Sequence, residues 1–295
     1  MLKNLRLRER GSMSLRFFSH LVVMGGLLVA GLLPSCADGA DGANDATEIV
    51  RTATQAELAA DKNDHTRWRY RDAKSDGIDT VSIVVETDYG SVNRVIMRNG
   101  RPLNEAEARA EDERVRRFIH DPEKLARQKR DGAQDGKNAE ELLHMLPEAF
   151  TWKTVREDAQ KYTLHFEPNP HFSPPNMQGR VLGTMAGTMV VNKAQHRIET
   201  ISGKLTQDVT IGWGLFGRLH EGGTFRVERR EVEPGLWQIV ETHVHIQGKA
   251  LFFKTIGEQQ DEVQTEFTQV PAGTTLEQAV EMSKPAKGAG YGKAK

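Results

Sequence analysis

Apolar and polar residues alternate over most of the chain between residues 66 and 270, with the period of two that predicts β-strands. In the segment 79–87, for example, Val81, Ile83 and Val85 fall on one face. Nine or more such segments predict an antiparallel sheet with one apolar face and one polar face. Because the apolar face has to be buried, the sheet must curl or be covered by helices.

Two stretches have the helical period instead. Residues 46–60 carry apolar side chains near a helical repeat, which predicts a short amphipathic helix. Residues 102–146 are crowded with Glu, Arg, Lys and Ala and carry two narrow apolar stripes. This pattern predicts two surface helices, separated by a loop around Gly132–Gly136 and ended by Pro147.

The start of the chain has the pattern of an export signal. Arg16 leads into an apolar run over residues 17–33, and the string Leu33-Pro34-Ser35-Cys36 follows. Cys36 is the only cysteine, and this string resembles a bacterial lipobox, in which a lipid is attached to the cysteine thiol. We therefore predict lipidation of Cys36; cleavage by an ordinary signal peptidase or an uncleaved anchor are the alternatives.

These patterns divide the chain into four parts. Residues 1–36 are predicted to be the signal segment, with Met13 as the start of a signal of ordinary length. Residues 37–45 are small, acidic and rich in glycine, and predict a flexible tether. Residues 46–270 are long enough for one domain with a single core. Residues 271–295 lose the alternation and predict a disordered tail.

Composition narrows the function classes. Residues 1–36 contain five of the 40 basic residues and one of the 41 acidic ones, so the rest of the chain carries a net charge of about −5. This balance gives no reason to expect nucleic-acid binding. With Cys36 in the signal no cysteine remains for a disulfide, so the apolar core has to stabilise the domain.

One glycine-rich motif invites a cofactor interpretation. Gly212–Gly217 matches the G-x-G-x-x-G pattern, but a strand follows where the dinucleotide motif needs a helix. We therefore predict no cofactor there. Trp213, Leu215 and Phe216 are candidates for an apolar lip over a cavity, or for packed aromatic residues in an ordinary turn.

Two histidines form the strongest metal candidate. His243 and His245 alternate with apolar residues on one strand, but a third ligand is not apparent, so we predict a solvated strand face and no metal. The chain has no nucleophile elbow, no H-E-x-x-H and no phosphate-binding loop. A noncatalytic protein is therefore predicted.

Four local strings resemble a known group of exported proteins. They are Arg98-Asn99-Gly100-Arg101-Pro102-Leu103-Asn104-Glu105-Ala106-Glu107, Phe166-Glu167-Pro168-Asn169-Pro170, Ala186-Gly187-Thr188-Met189-Val190-Val191 and Gly223-Thr224-Phe225. With the lipobox and the order of elements, they resemble the LolA/LolB/LppX-type lipoprotein-carrier superfamily, and most closely uncharacterised exported bacterial proteins of that fold. The resemblance implies an incomplete half-barrel that holds acyl chains on its concave face, without catalytic residues.

The predicted fold is therefore α+β, with a curved antiparallel sheet and helices that plug or cover its concave face. The same apolar side chains would serve as the lining of a lipid cavity or as an ordinary core. They are Trp68, Tyr70, Val81, Ile83, Val85, Leu164, Phe166, Met189, Val191, Phe225, Val227, Val240, Val244 and Ile246.

Two functions follow as hypotheses. The first is an envelope lipoprotein that binds a lipid or acyl chain, anchored on the periplasmic side through Cys36. Ala37 directly after the cysteine favours the outer membrane over the inner one. The second is a structural or sensing lipoprotein with a filled core, which presents its charged helices to an envelope protein partner. A hydrolase or metal enzyme is the least favoured alternative.

Overall fold

A computed structural model describes residues 41–211, 217–250 and 254–285. The described residues form five helices and 13 strands. In chain order these are α1 (Asp41–Asn63), β1 (Arg67–Ser75), β2 (Asp79–Thr87), β3 (Gly90–Arg98), β4 (Arg101–Pro102), α2 (Glu105–Ile119), α3 (Pro122–Ala149), β5 (Phe150–Glu157), β6 (Lys161–Pro168), α4 (Met177–Leu182), β7 (Met185–Asn192), β8 (Ile198–Leu205), β9 (Val209–Ile211), β10 (Gly217–Leu219), β11 (Thr224–Glu233), β12 (Leu236–Ala250), β13 (Lys254–Val270) and α5 (Leu276–Met282).

The strands form one open antiparallel sheet, which confirms the predicted fold class. Its order is β4-β3-β2-β1-β13-β12-β11-β8-β7-β6-β5, and β10 pairs with β12 and β9. Most neighbours are joined by hairpins, such as the turn at Asn99 and Gly100, whose φ angles are 50° and 74°. The pairing of β1 with β13 has the longest sequence separation, and it joins the two ends of the domain.

The larger core lies on the face of the sheet that carries Phe166, Met189 and Val244, which we call the inner face. Helix α1 and the second half of α3 pack on it and fill it with small and medium-sized side chains. The helix residues of this inner core are Ala46, Val50, Ala53, Leu142, Leu143, Met145, Leu146 and Ala149. All of them are buried, so this part of the apolar face is covered as predicted.

A second core, which we call the outer core, lies on the opposite face at the other end of the sheet. Directly paired residues of antiparallel strands share a face, and Val84 pairs with Tyr70 while Val85 pairs with Arg69. Val85 therefore points away from the inner face, toward α2 and α5. The outer core consists of Ile83, Val85, Val92, Ile96, Val115, Ile119, Val270, Ala279 and Val280.

The prediction of a disordered tail is wrong for residues 271–285, because α5 docks on β2 and β3. Ala279 and Val280 are buried there, and Arg69 Nε donates to the carbonyl oxygen of Met282 at 2.9 Å. Arg94 Nε also donates to Ser283 Oγ at 2.9 Å. Leu276 and Met282 also pack against this core, so the spacing of Leu276, Ala279 and Val280 was a helical signal that the prediction missed. Residues 286–295 lie outside the described residues.

Helix α1 begins earlier than the sequence suggests. It starts at Asp41, so residues 41–45 belong to the helix and the predicted flexible tether is wrong for them. Residues 37–40, like the signal segment, lie outside the described residues. Because Ala46 and Val50 are buried against the sheet, the preceding turn of helix adjoins an anchored segment.

The predicted break within the charged insert is also wrong. Helix α3 runs without interruption from Pro122 to Ala149 and includes Pro147. Near its start, Gln128 exchanges hydrogen bonds of 2.9 and 3.1 Å with the backbone of Ser91. Near its end, Leu142 and Leu146 are part of the inner core. Contacts at both ends outweigh the low helix propensity of the two glycines between them.

Substituting Ala279 by Asp should test the docking of α5. A carboxylate at this fully buried position lacks a partner, so we expect the free energy of unfolding to fall by about 3 kcal/mol. Urea unfolding of the mature chain measures the effect. Glu281→Ala on the exposed side of the same helix is the control, with a change within about 0.5 kcal/mol. Equal unfolding midpoints for Ala279→Asp and the wild type would show that α5 does not contribute to the core.

Candidate functional site

The structure divides the predicted cavity residues into three groups. Half of them lie in the inner core, which they share with side chains of α1, α3 and α4. These are Leu164, Phe166, Met189, Val191, Phe225, Val244 and Ile246. Their apolar surface is already covered by the protein itself, so they form a core rather than the wall of an open cavity.

Val81, Ile83 and Val85 do not belong with the other candidates. They lie on the opposite face of the sheet, where Ile83 and Val85 are part of the outer core and Val81 packs against it. The prediction of one shared cavity is wrong for these three. The physical reason is that β2 is buried on both faces, and an alternating pattern does not say which face points inward.

The remaining four candidates lie on the inner face but in neither core as far as the described residues show. Trp68, Val227 and Val240 are buried, and Tyr70 is partly buried. Sequence reasoning missed Val84, which is buried and pairs with Tyr70. We call Trp68, Tyr70, Val84, Val227, Val240 and Phe267 the inner strip.

Phe267 joins the inner strip through a bulge in β13. The pairing with β1 shifts register between Arg69 and Arg71, and Glu266 has a φ of 58°. This bulge turns Phe267 onto the inner face. Its ring lies 5.3 Å from that of Tyr70 and 6.0 Å from that of Trp68, centroid to centroid.

Acidic groups border the inner strip. Glu86 Oε2 accepts a hydrogen bond from the backbone N–H of Trp68 at 3.1 Å, and burial raises the pKa of Glu86 to about 7. Burial and the nearby Glu262 raise the pKa of Asp72 to about 7 as well. Trp68 Nε1 and Asp72 Oδ1 are both buried without a hydrogen-bond partner. The surroundings of the strip are therefore poorly hydrated.

A second feature, which sequence reasoning missed, is a buried ion cluster under α1. Glu57 Oε2 contacts Arg197 at 2.9 Å and also binds Arg229, while Glu57 Oε1 accepts from the backbone N–H of Ile198 at 2.8 Å. The exposed fractions of Glu57, Arg197 and Arg229 are 4%, 7% and 3%. Burial alone would raise the pKa of Glu57, but the two guanidinium groups outweigh it and hold that pKa below its usual value.

Signals for this cluster were present in the sequence. Glu57 continues the buried stripe of α1 that begins with Ala46, Val50 and Ala53 at helical spacing. Arg229 follows Phe225 and Val227 on the inner side of β11, after a register shift relative to β12. A charged residue in an apolar stripe needs a partner, but the stripe does not say which element supplies it.

Asp61 lies one helical turn beyond Glu57 and is 8% exposed. Its Oδ1 atom is buried and has no hydrogen-bond partner. Burial raises the pKa of Asp61 to about 7; Glu140, Asp64 and Glu57 raise it further, and Arg229 opposes them. Near neutral pH the protonated and ionised forms of the Asp61 carboxyl group are therefore both populated.

A cavity of about 200 Å³ adjoins the ion cluster. We call it the α1–α3 pocket. Its walls come from α1, α3, the residue before β8, β11, the turn between β11 and β12, and the start of β12. Its lining residues are Glu57, Leu58, Ala60, Asp61, Asn63, Asp64, Gly136, Ala139, Glu140, Leu143, Arg197, Arg229, Gly235, Leu236 and Trp237.

The histidine pair lies on the polar outer face, as the alternation predicts. His243 Nδ1 lies 2.6 Å from Asp261 Oδ1, and His245 Nε2 lies 3.0 Å from both carboxylate oxygens of Asp261. Hydrogen bonding to His243, partly opposed by burial, lowers the pKa of Asp261. Within the described ranges, no group of three or more His, Cys, Asp or Glu residues is arranged to hold a metal ion.

The other predicted residues lie outside the described part of the chain. These are Cys36 and the lip candidates Trp213, Leu215 and Phe216. Among the helices that the structure describes, none combines the length and the apolar character needed to cross a membrane.

Comparisons with protein-family models, curated proteins and solved structures found no match to this chain. The resemblance to lipoprotein carriers therefore stays a prediction, and the inner strip and the α1–α3 pocket are the features of the fold that bear on function.

Asp61→Asn should change how stability depends on pH. Because the pKa of Asp61 is raised in the folded state, the native protein holds a proton that the unfolded chain loses above about pH 4. Stability should therefore fall as the pH rises from 5 to 7. The asparagine removes this loss, and we expect a difference of at least about 1 kcal/mol between the two proteins over that interval.

Urea unfolding midpoints at pH 5, 6 and 7 measure this difference. Asp131→Asn, which removes an exposed carboxylate from α3, is the control and should follow the wild type. Glu86 and Asp72 contribute with the same sign in all three proteins, so only the difference reports on Asp61. Parallel curves for Asp61→Asn and the wild type would contradict the raised pKa.

Proposed function

We propose that this protein is an exported envelope lipoprotein that holds an acyl chain against the inner strip. The observation that carries the proposal is a set of buried apolar side chains on the inner face that neither described core includes. Four of its members, Trp68, Tyr70, Val227 and Val240, were predicted from the sequence as cavity residues. The chain has no need of a catalytic group for this role.

The energetics of acyl binding favour such a surface. Transfer of each methylene group from water contributes about 0.8 kcal/mol, so even half of a 16-carbon chain would contribute about 6 kcal/mol. Glu86 and Asp72, at the border of the strip, have pKa values raised to about 7, and a neutral carboxyl group costs less beside hydrocarbon than a charged one. The inner core is the less suitable place, since a ligand there would have to displace α1 or α3.

In this proposal Cys36 carries the lipid anchor and holds the domain on the periplasmic side of a membrane, with the outer membrane favoured. The support is the string Leu33-Pro34-Ser35-Cys36 followed by Ala37. The α+β sheet with helices on its inner face is compatible with the carrier fold that the sequence resembles.

Tryptophan quenching tests the position of the acyl chain. The chain has four tryptophans, so variants that keep only Trp68 or only Trp152 are made by replacing the others with Phe. Dibromostearate quenches indole fluorescence only at short range. We expect saturable quenching of the protein that keeps Trp68, which lies in the inner strip.

Trp152 is the matched control, because it is equally buried but lies in the inner core, where its Nε1 donates to the carbonyl oxygen of Leu146 at 3.2 Å. It should be quenched much less. Quenching of Trp152 alone would indicate that the ligand binds in the inner core. An unquenched Trp68 at saturating lipid would refute acyl binding at the strip.

Mass spectrometry of the mature protein from a bacterial envelope tests the anchor. We expect an N-terminal Cys36 that carries a diacylglycerol, and Cys36→Ser should abolish the modification and release the protein from the membrane fraction. An unmodified cysteine, or a mature chain that starts after residue 36, would exclude the lipobox interpretation while leaving acyl binding by the domain open to its own test.

A further inference from the structure

We propose that the α1–α3 pocket binds a small zwitterion with one carboxylate and one ammonium group, the class that includes free amino acids. This site is separate from the inner strip, and the inference does not depend on acyl binding. It stands on three features of the pocket: two buried guanidinium groups with unused donors, a buried carboxyl group with an unused acceptor, and a small volume.

The basic side of the pocket is formed by Arg197 and Arg229. Both guanidinium groups donate hydrogen bonds to Glu57, yet the Nε atom of each is buried and has no hydrogen-bond partner. A buried N–H donor without a partner carries the full cost of losing its hydration. Glu57 forms the close ion pairs with both arginines, while Asp61 attracts Arg229 without a direct ion pair. A carboxylate from a ligand would supply the missing acceptors.

The acidic side is formed by Asp61 with Asp64 and Glu140. Asp61 is more than nine-tenths buried, lines the pocket, and has an Oδ1 atom without a partner. Three other carboxylates act on it electrostatically and favour its protonated form. An ammonium group from a ligand would donate to Oδ1 and would offset this excess of negative charge. Neither a plain anion nor a plain cation complements both sides of the pocket.

The order of the groups along α1 separates the two charges. Glu57, with its two arginines, comes first along α1, and Asp61 follows one turn later. Asp64 and Glu140 are only partly buried and lie toward solvent. One turn of helix advances about 5.4 Å, so the basic and acidic sides are close enough for the two ends of one small molecule.

Size and lining restrict the ligand further. A cavity of about 200 Å³ lies below the range of about 300–1,000 Å³ that is typical of sites for drug-sized ligands. An acyl chain is therefore unsuitable. Leu58, Leu236 and Trp237 add apolar wall, and the Trp237 ring lies 5.7 Å from the Arg197 guanidinium carbon. This wall has room for a short apolar substituent.

Isothermal titration calorimetry with the mature, full-length domain tests the proposal. The probes are glycine, L-leucine and γ-aminobutyrate, which differ in side chain and in the separation of the two charges. Acetate and methylamine are the matched single-charge probes. We expect at least one zwitterion to bind, and each single-charge probe to bind at least about tenfold more weakly.

Two variants each change one binding group of the pocket. Asp61→Asn keeps the shape of the acidic side but removes its charge, and Arg197→Lys keeps the charge of the basic side but removes the Nε donor. Each should weaken zwitterion binding at least about tenfold. The exposed variant Asp131→Asn should bind like the wild type. Circular dichroism confirms folding, and if Arg197→Lys fails to fold, Asp61→Asn carries the test by itself.

Three results would overturn the proposal. Acetate that binds as tightly as the zwitterions, with no effect of Asp61→Asn, would make this an anion site. Methylamine that binds as tightly would make it a cation site. If none of the five probes binds at millimolar concentration, the pocket holds water only and the ion cluster serves the fold. None of these results bears on quenching of Trp68, so the two sites are tested separately.

Discussion

The pairing of β1 with β13 is the contact on which the rest of the structure depends. It joins the strands at the start of the domain to those that follow α3, and without it the sheet would be two separate pieces. The bulge in this pairing turns Phe267 toward Tyr70 on the inner face. The same pairing places the end of β13 next to β1, so that α5, which follows β13 closely, can pack on the outer core. Because the two strands are about 200 residues apart, the chain closes a large loop to form this contact.

The polar interior of the domain has a different energetic character from its two cores. Glu57, Arg197 and Arg229 satisfy one another in part, but a buried ion cluster of this kind is weak evidence for stability, since desolvation offsets much of the attraction. The cluster does specify how α1 lies on the sheet, because the carboxylate of Glu57 has to reach Arg229 on β11 and Arg197 just before β8. The unused donors beside it and the unpaired oxygen of Asp61 are more costly, and a bound ligand would explain both.

Burial on both faces of β2 explains why the predicted cavity residues separate. Strand alternation correctly identifies Val81, Ile83 and Val85 as one face and Trp68 and Tyr70 as another, but it does not relate the faces of different strands. The registers show that the first three point outward, to α2 and α5, and the last two point inward. The proposed acyl site is therefore smaller than the set of residues predicted from the sequence, since the inner core is filled by α1 and α3.

Local elements with a strong pattern are predictable from the residues that form them. The alternating strands, the turn at Asn99-Gly100 and the start of α2 at Asn104 follow from side-chain period, backbone conformation and capping, all of which act over a few residues. The course of α3 through its glycines, the docking of α5, and the contacts of Glu57 with Arg197 and Arg229 are evident only in the folded chain. These features depend on contacts between residues far apart in the chain, and a local pattern contains no information about which distant partner will satisfy a buried charge or cover an apolar pair.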